Sequence, residues 1–184
     1  MHPVKFTRAK TTLKGVLFII AMAGAGTVAG GGSPAQADDP AFLSIAGGSY
    51  DWNRKKDQGV ELRMEYRDDK KLFGLLKPFV AAAVSKNDST QVFVGAGVLM
   101  DLYFGKRIVV TPSFAPHFYT GGNTKLDLDY ALEFRSQLEI AYRFDDRSRL
   151  GVAVSHYSNA SLGKSNPGTE SALLYYSIPV DFFN

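Results

Sequence analysis

The chain has 184 residues, with 21 Lys and Arg, 18 Asp and Glu, three His and no Cys. That length suits one domain, and the lack of cysteine excludes a thiol nucleophile, a lipid-anchored cysteine and any disulfide framework. The formal charge of +3 invites a nucleic-acid reading, but the excess of cations comes from the first 37 residues.

Lys5, Arg8, Lys10 and Lys14 precede an apolar run from Gly15 to Gly30, and Ala35-Gln36-Ala37 follows with small residues at cleavage positions. This is the pattern of a secretory signal peptide over 1–37, cleaved before Asp38. The run holds Gly24, Gly26 and Gly30 and falls short of the ~20 strongly apolar residues of a membrane span. Its removal takes four of the cationic residues and no acidic one, leaving a slightly negative domain over 38–184 with no electrostatic case for nucleic acid. His2 leaves with it, so His117 and His156 remain, too few for a histidine-rich metal centre.

In chain order the pattern predicts a strand over 41–50, then one over 60–67, where Val60, Leu62, Met64 and Tyr66 alternate with Glu61, Arg63, Glu65 and Arg67. A short helix is predicted around Lys70 to Leu76. Strands follow over 77–86, 91–104, 107–119, 128–144, 149–158 and 170–182, making eight. In the sixth, Leu132, Phe134, Leu138, Ile140, Tyr142 and Phe144 share one parity, and Glu133, Arg135, Gln137, Glu139 and Arg143 the other.

No segment after the leader has the long apolar run of a transmembrane helix. An even set of antiparallel, two-faced strands instead closes into a barrel without free edges. The fold predicted is all-β, an eight-stranded antiparallel transmembrane barrel of the bacterial outer membrane, lipid outside and charges inside. A soluble periplasmic sandwich or lipocalin-like barrel is the alternative, with the two faces reversed.

With both termini periplasmic, the inner turns fall at Gly105-Lys106 and 145–148, and the longer outer loops at 51–58, 119–127 and 159–169. Aromatic pairs at strand ends, Tyr50 and Trp52, Tyr103 and Phe104, Phe118 and Tyr119, Tyr175 and Tyr176, Phe182 and Phe183, fit interfacial girdles.

On the seventh strand His156 and Ser158 continue the apolar parity of Leu150, Val152 and Val154, and Glu170 shares the parity of Ala172, Leu174, Tyr176 and Ile178. All three therefore point outward. If the last hairpin sets Glu170 opposite His156, their β-carbons lie within ~5.5 Å, with Ser158 next along the same face. A serine hydroxyl needs an imidazole to take its proton, and the imidazole needs a carboxylate to fix its tautomer and stabilise its charge. Asn159 follows as a candidate oxyanion donor, through its side chain or backbone. The same spacing also suits an interfacial histidine followed by a loop-starting serine, and the residues alone leave both open.

His156-Tyr157-Ser158-Asn159-Ala160, then Asn166-Pro167-Gly168 and Glu170-Ser171, and finally Tyr176-Ser177-Ile178-Pro179-Val180 closely resemble the lipid A 3-O-deacylase (PagL) family. Residues 132–144 resemble the family's sixth strand more loosely, and 38–120 match mainly in pattern. The resemblance implies an outer-membrane barrel that hydrolyses the 3-position ester of lipid A, with Ser158, His156 and Glu170 as its triad and Asn159 at the oxyanion hole. Ser136 stands where some members carry an acidic residue, which takes support from any secondary role for that strand.

The partners implied are lipid A in lipopolysaccharide and the surrounding lipids, with a homodimer left open, and the triad requires no metal or cofactor. A non-catalytic adhesin or structural barrel and a lipid A acyltransferase are the competing classes. Of the other candidates, His117 has inward parity and reads as a hydrogen-bonded core residue, and Trp52 as an interface anchor. Arg54, Lys55, Lys56, Lys125 and Lys164 fall in outer loops, positioned to meet lipid A phosphates or simply solvated.

Overall fold

The computed structural model describes residues 39–180, so the expected signal peptide, Phe182 and Phe183 lie outside the described residues. The strands are β1 (Ala41–Tyr50), β2 (Gly59–Arg67), β3 (Lys77–Lys86), β4 (Thr90–Leu99), β5 (Leu102–Phe104), β6 (Ile108–Gly121), β7 (Leu132–Arg143), β8 (Arg149–Ser158) and β9 (Thr169–Val180). Every pairing is antiparallel; β1 joins β9, and β4 joins β6 to close the ring. On β6, Leu99 stands opposite Ser113 and Leu102 opposite Val110. That is one continuous register, so β4 and β5 form a single stave interrupted at Met100-Asp101, and the barrel has eight.

Side-chain burial settles which face is which. Glu61, Arg63, Glu65 and Arg67 are 0 to 3% exposed, whereas Val60, Leu62 and Met64 are 55 to 67% exposed. A soluble barrel with this arrangement would hide its charges and wet its valines; in a bilayer both choices are favourable. The soluble alternative is thereby excluded. These charges are paired across the interior: Arg135 lies 2.7 Å from Glu65, and Arg67 lies 2.8 Å from Glu65 and 2.7 Å from Glu139.

At the inner end Arg149 bridges Asp39 and Asp101, and Tyr103 donates to Asp39 at 2.6 Å. The outer mouth is filled by an apolar cluster of Tyr50, Phe93, Tyr119, Leu126, Leu128 and Tyr157. Phe93 and Tyr157 stack with centroids 4.4 Å apart.

Several expectations need correction. Residues 70–76 form no helix: Leu72 bridges to Leu76, and Phe73 and Gly74 take left-handed φ values of 54° and 73°. Two consecutive left-handed residues reverse the chain, and their cost is incompatible with a continuing right-handed helix. The strand expected from 128 begins only at Leu132, because the outer loop over 122–131 turns inward and buries Leu126 and Leu128. Asp129, at φ 70°, breaks the extended run.

The aromatic pairs do not all lie in girdles. Strand alternation sends Tyr50, Tyr119 and Tyr175 inside, while Trp52, Tyr103, Phe104, Phe118 and Tyr176 stay exposed. His117 is buried as expected, its Nδ1 3.1 Å from the Ala115 carbonyl.

Candidate active site

The β8–β9 hairpin holds the expected residues at the outer end of the wall. Its register sets His156 opposite Glu170, and the β7–β8 register sets Ser136 opposite His156 and Phe134 opposite Ser158. His156, Ser158 and Glu170 thus share the lipid-facing side, where an imidazole would otherwise be out of place.

His156 Nδ1 lies 3.0 Å from Glu170 Oε1. A carboxylate only accepts, so this bond puts the proton on Nδ1 and leaves Nε2 as the basic nitrogen. The His156 side chain is 41% exposed and that of Glu170 17%, so the imidazole is open to the membrane side and the carboxylate is sheltered. Ser158 is the last residue of β8, two positions beyond His156 on the same face, about 7 Å along the strand. Among the described residues no hydrogen bond joins Ser158 to His156. The hairpin therefore presents an assembled imidazole–carboxylate pair with the hydroxyl nearby and not bonded to the imidazole.

Asn159 has a different task from the one expected. It is fully buried, and its Nδ2 donates to the carbonyls of Leu128 at 3.0 Å and Ser165 at 2.7 Å. Its Oδ1 accepts from the Ser161 amide at 2.9 Å, and its own amide donates to Asn166 Oδ1 at 3.2 Å. Ala160 and Ser161 both take left-handed φ values, 52° and 66°, and these bonds hold that tight turn in place. Every donor on Asn159 is committed to loop structure, none to an oxyanion.

The residue that sequence reasoning misplaced is Arg54. Expected to face phosphate or water, it instead crosses from the β1–β2 loop to the carboxylate beside His156, its Nε 3.0 and 3.1 Å from the two oxygens of Glu170. Its Nη1 also donates to the Pro167 carbonyl, which accepts from Lys56 Nζ at 3.3 Å. Lys125, another expected phosphate contact, pairs with Asp88, and that ammonium holds the Asp88 carboxyl below its usual range. Lys55 and Lys164 are exposed in their loops, as is Trp52 at the rim. No cluster among the described residues could hold a metal ion.

The family model for lipid A 3-O-deacylase (PagL) matches residues 42–179. The chain belongs to the lipid A 3-O-deacylase family. A lipid A deacylase PagL of Pseudomonas aeruginosa is 30% identical over 93 residues, 50% of this chain and 45% of that protein. The chain thus spans about half the length of that curated relative in the match. Among solved structures, the outer membrane enzyme PagL is similar with a TM-score of 0.55 at 20% identity, covering 76% of this chain and 99% of that one. Neisserial surface protein A is similar with a TM-score of 0.57 at 10% identity, covering 76% and 96%. These two likenesses show the barrel alone. The lipid A 3-O-deacylase family model, by contrast, runs through β8, the last outer loop and β9, and so includes the whole hairpin that carries His156, Ser158 and Glu170.

Proposed function

We propose that the protein is an outer-membrane serine esterase that removes the ester-linked acyl chain at position 3 of lipid A, with Ser158 as nucleophile, His156 as base and Glu170 as orienter. The observation that carries this reading is the Nδ1–carboxylate bond of His156 and Glu170 on the lipid-facing wall at the outer rim. A polar pair in that place contributes nothing to barrel closure, and lipid A esters lie at that depth of the outer leaflet.

In the reaction, Nε2 of His156 takes the Ser158 proton as Oγ attacks the ester carbonyl. Collapse of the tetrahedral intermediate breaks the bond between the acyl carbon and the sugar oxygen, and that oxygen leaves with the proton from His156 while the acyl group stays on Ser158. Water then attacks the acyl-serine with His156 again as base, releasing the fatty acid and restoring Ser158.

The wall below the pair supports an acyl substrate. From Glu170 the outward residues of β9 run through Ala172 to Leu174, and β1 sets Ser49 and Gly47 opposite them. Gly47 lies in an apolar groove with Leu62, Met64, Leu174 and Tyr176, further down the same wall.

Ser158→Ala removes only the nucleophile, as in other hydrolases built on a serine triad: deacylation is expected to fall at least ~1,000-fold while the folded barrel persists. The measurement is mass spectrometry of lipid A before and after incubation with the refolded protein. A folded Ser158→Ala barrel that still releases the 3-position acyl chain would sink the triad, and a mass gain in place of a loss would assign acyl transfer to an acceptor.

A further inference from the structure

Two cationic side chains from the β1–β2 loop converge on the last outer loop, and one of them reaches the carboxylate that orients His156. Glu170 therefore has two partners: His156 takes Oε1 at 3.0 Å, and Arg54 takes both oxygens through Nε at 3.0 and 3.1 Å. A guanidinium held this way fixes the plane of the carboxylate, which a single imidazole bond leaves free to rotate about its last torsion.

The loop that carries Arg54 is anchored independently of the arginine head. Asp51, fully buried at its base, accepts from the Asp57 amide at 2.8 Å and from Thr169 Oγ1 at 3.2 Å. Asp57 in turn accepts from Asn123 Nδ2 at 2.5 Å through its side chain and from Asn87 Nδ2 at 3.1 Å through its carbonyl. The loop is thus tied to the start of β9, to the β6–β7 loop and to the β3–β4 turn. Such anchoring is what a side chain needs if it is to position another rather than merely meet it.

Building on the triad reading above, we propose that Arg54 is a positioning residue of the active site: it holds the Glu170 carboxylate and the Pro167-Gly168 segment in line with His156. The charged and titratable groups facing the imidazole are Glu170 from β9 and Arg54 from the β1–β2 loop, with Lys56 further back on the Pro167 carbonyl. From β7 the facing residue is Ser136, which carries no charge.

The experiment compares Arg54→Ala, Arg54→Lys and Ser158→Ala with the parent barrel, refolded in detergent, with folding checked by the mobility difference between heated and unheated protein. Steady-state kcat and KM for lipid A deacylation are measured. Arg54→Ala is expected to lower kcat by ~10- to 100-fold with KM little changed. Arg54→Lys, which keeps the charge and loses the fork, should recover part of kcat.

Two results would overturn the assignment: full activity in Arg54→Ala, or a rise in KM alone, which would make Arg54 a substrate contact. An unfolded Arg54→Ala barrel leaves the Arg54→Lys comparison to decide, since a lysine variant with the kcat of the parent removes any need for the fork. Failure of the triad itself reads out separately, as deacylation by Ser158→Ala.

Discussion

Gly168 stands at φ 57° directly behind the imidazole: a β-carbon built there would lie 3.2 Å from His156 Cε1 and 3.4 Å from Arg54 Nη1. Gly168→Ala therefore combines a left-handed backbone strain of about 1–2 kcal/mol with crowding of the base. The expected outcome is a fall in kcat of roughly 10-fold or more with lipid A binding little changed, checked by steady-state kinetics; wild-type kcat would show that the ring is not held from this side. At this scale the sequence was informative in one direction only. The parity of His156 and Glu170 could be read because alternation along two adjacent strands is a local property and one hairpin register joins them. The bond from Arg54 to Glu170 spans 116 positions of chain, and nothing in the local pattern of an exposed basic loop distinguishes a cation aimed at a carboxylate from one aimed at water. Asn159 was misread for a related reason, since its partners are backbone carbonyls of two loops whose paths depend on their left-handed residues.

The last outer loop, 159–168, behaves as an element in its own right, closed by the Leu162 amide on the Asn159 carbonyl at 3.0 Å and by the three side-chain bonds of Asn159. Asn159→Ala leaves the Leu128 and Ser165 carbonyls without that donor, at ~1–3 kcal/mol for each polar group left buried and unmatched. Because the strands do not depend on these bonds, the cost falls on local opening rather than on melting of the barrel. Limited proteolysis should then cut the loop markedly faster in the variant while the urea midpoint moves little; a midpoint shift without faster cutting would contradict a local role. The same division between strands and loops governed what could be read beforehand. Strands β1, β3 and β8 were placed to the residue because their two-fold alternation ends at polar or glycine-rich breaks. The 70–76 turn and the inward fold of 122–131 were not, because Leu72, Leu75, Leu126 and Leu128 carry no periodicity that separates a helix, a hairpin tip or a plug.

The whole molecule rests on an inside of paired charges and an outside of aliphatic side chains, and the two halves of that statement are separable by mutation. Glu65 receives Arg135 at 2.7 Å, Arg67 at 2.8 Å and the Tyr175 hydroxyl at 3.1 Å, all buried. Glu65→Ala takes the carboxylate partner from buried Arg135 and one of two from Arg67 and is expected to cost ~3–5 kcal/mol, although any barrel with this core, soluble or membrane-bound, would share that loss. Val152, on β8 between the active-site end and the inner turn, is 61% exposed. Were its surroundings water, Val152→Arg would fall within about 0.5 kcal/mol of neutral, as exposed substitutions generally do. In hydrocarbon the arginine must be desolvated or reach for the interface, at ~2–4 kcal/mol near the midplane. Urea unfolding of the two variants in phospholipid vesicles, with the parent barrel alongside, should therefore show both destabilised. Val152→Arg is the informative one: an unchanged midpoint would mean that the wall bearing His156, Ser158 and Glu170 does not face lipid, and an esterase built to meet its substrate from that wall would lose its physical basis.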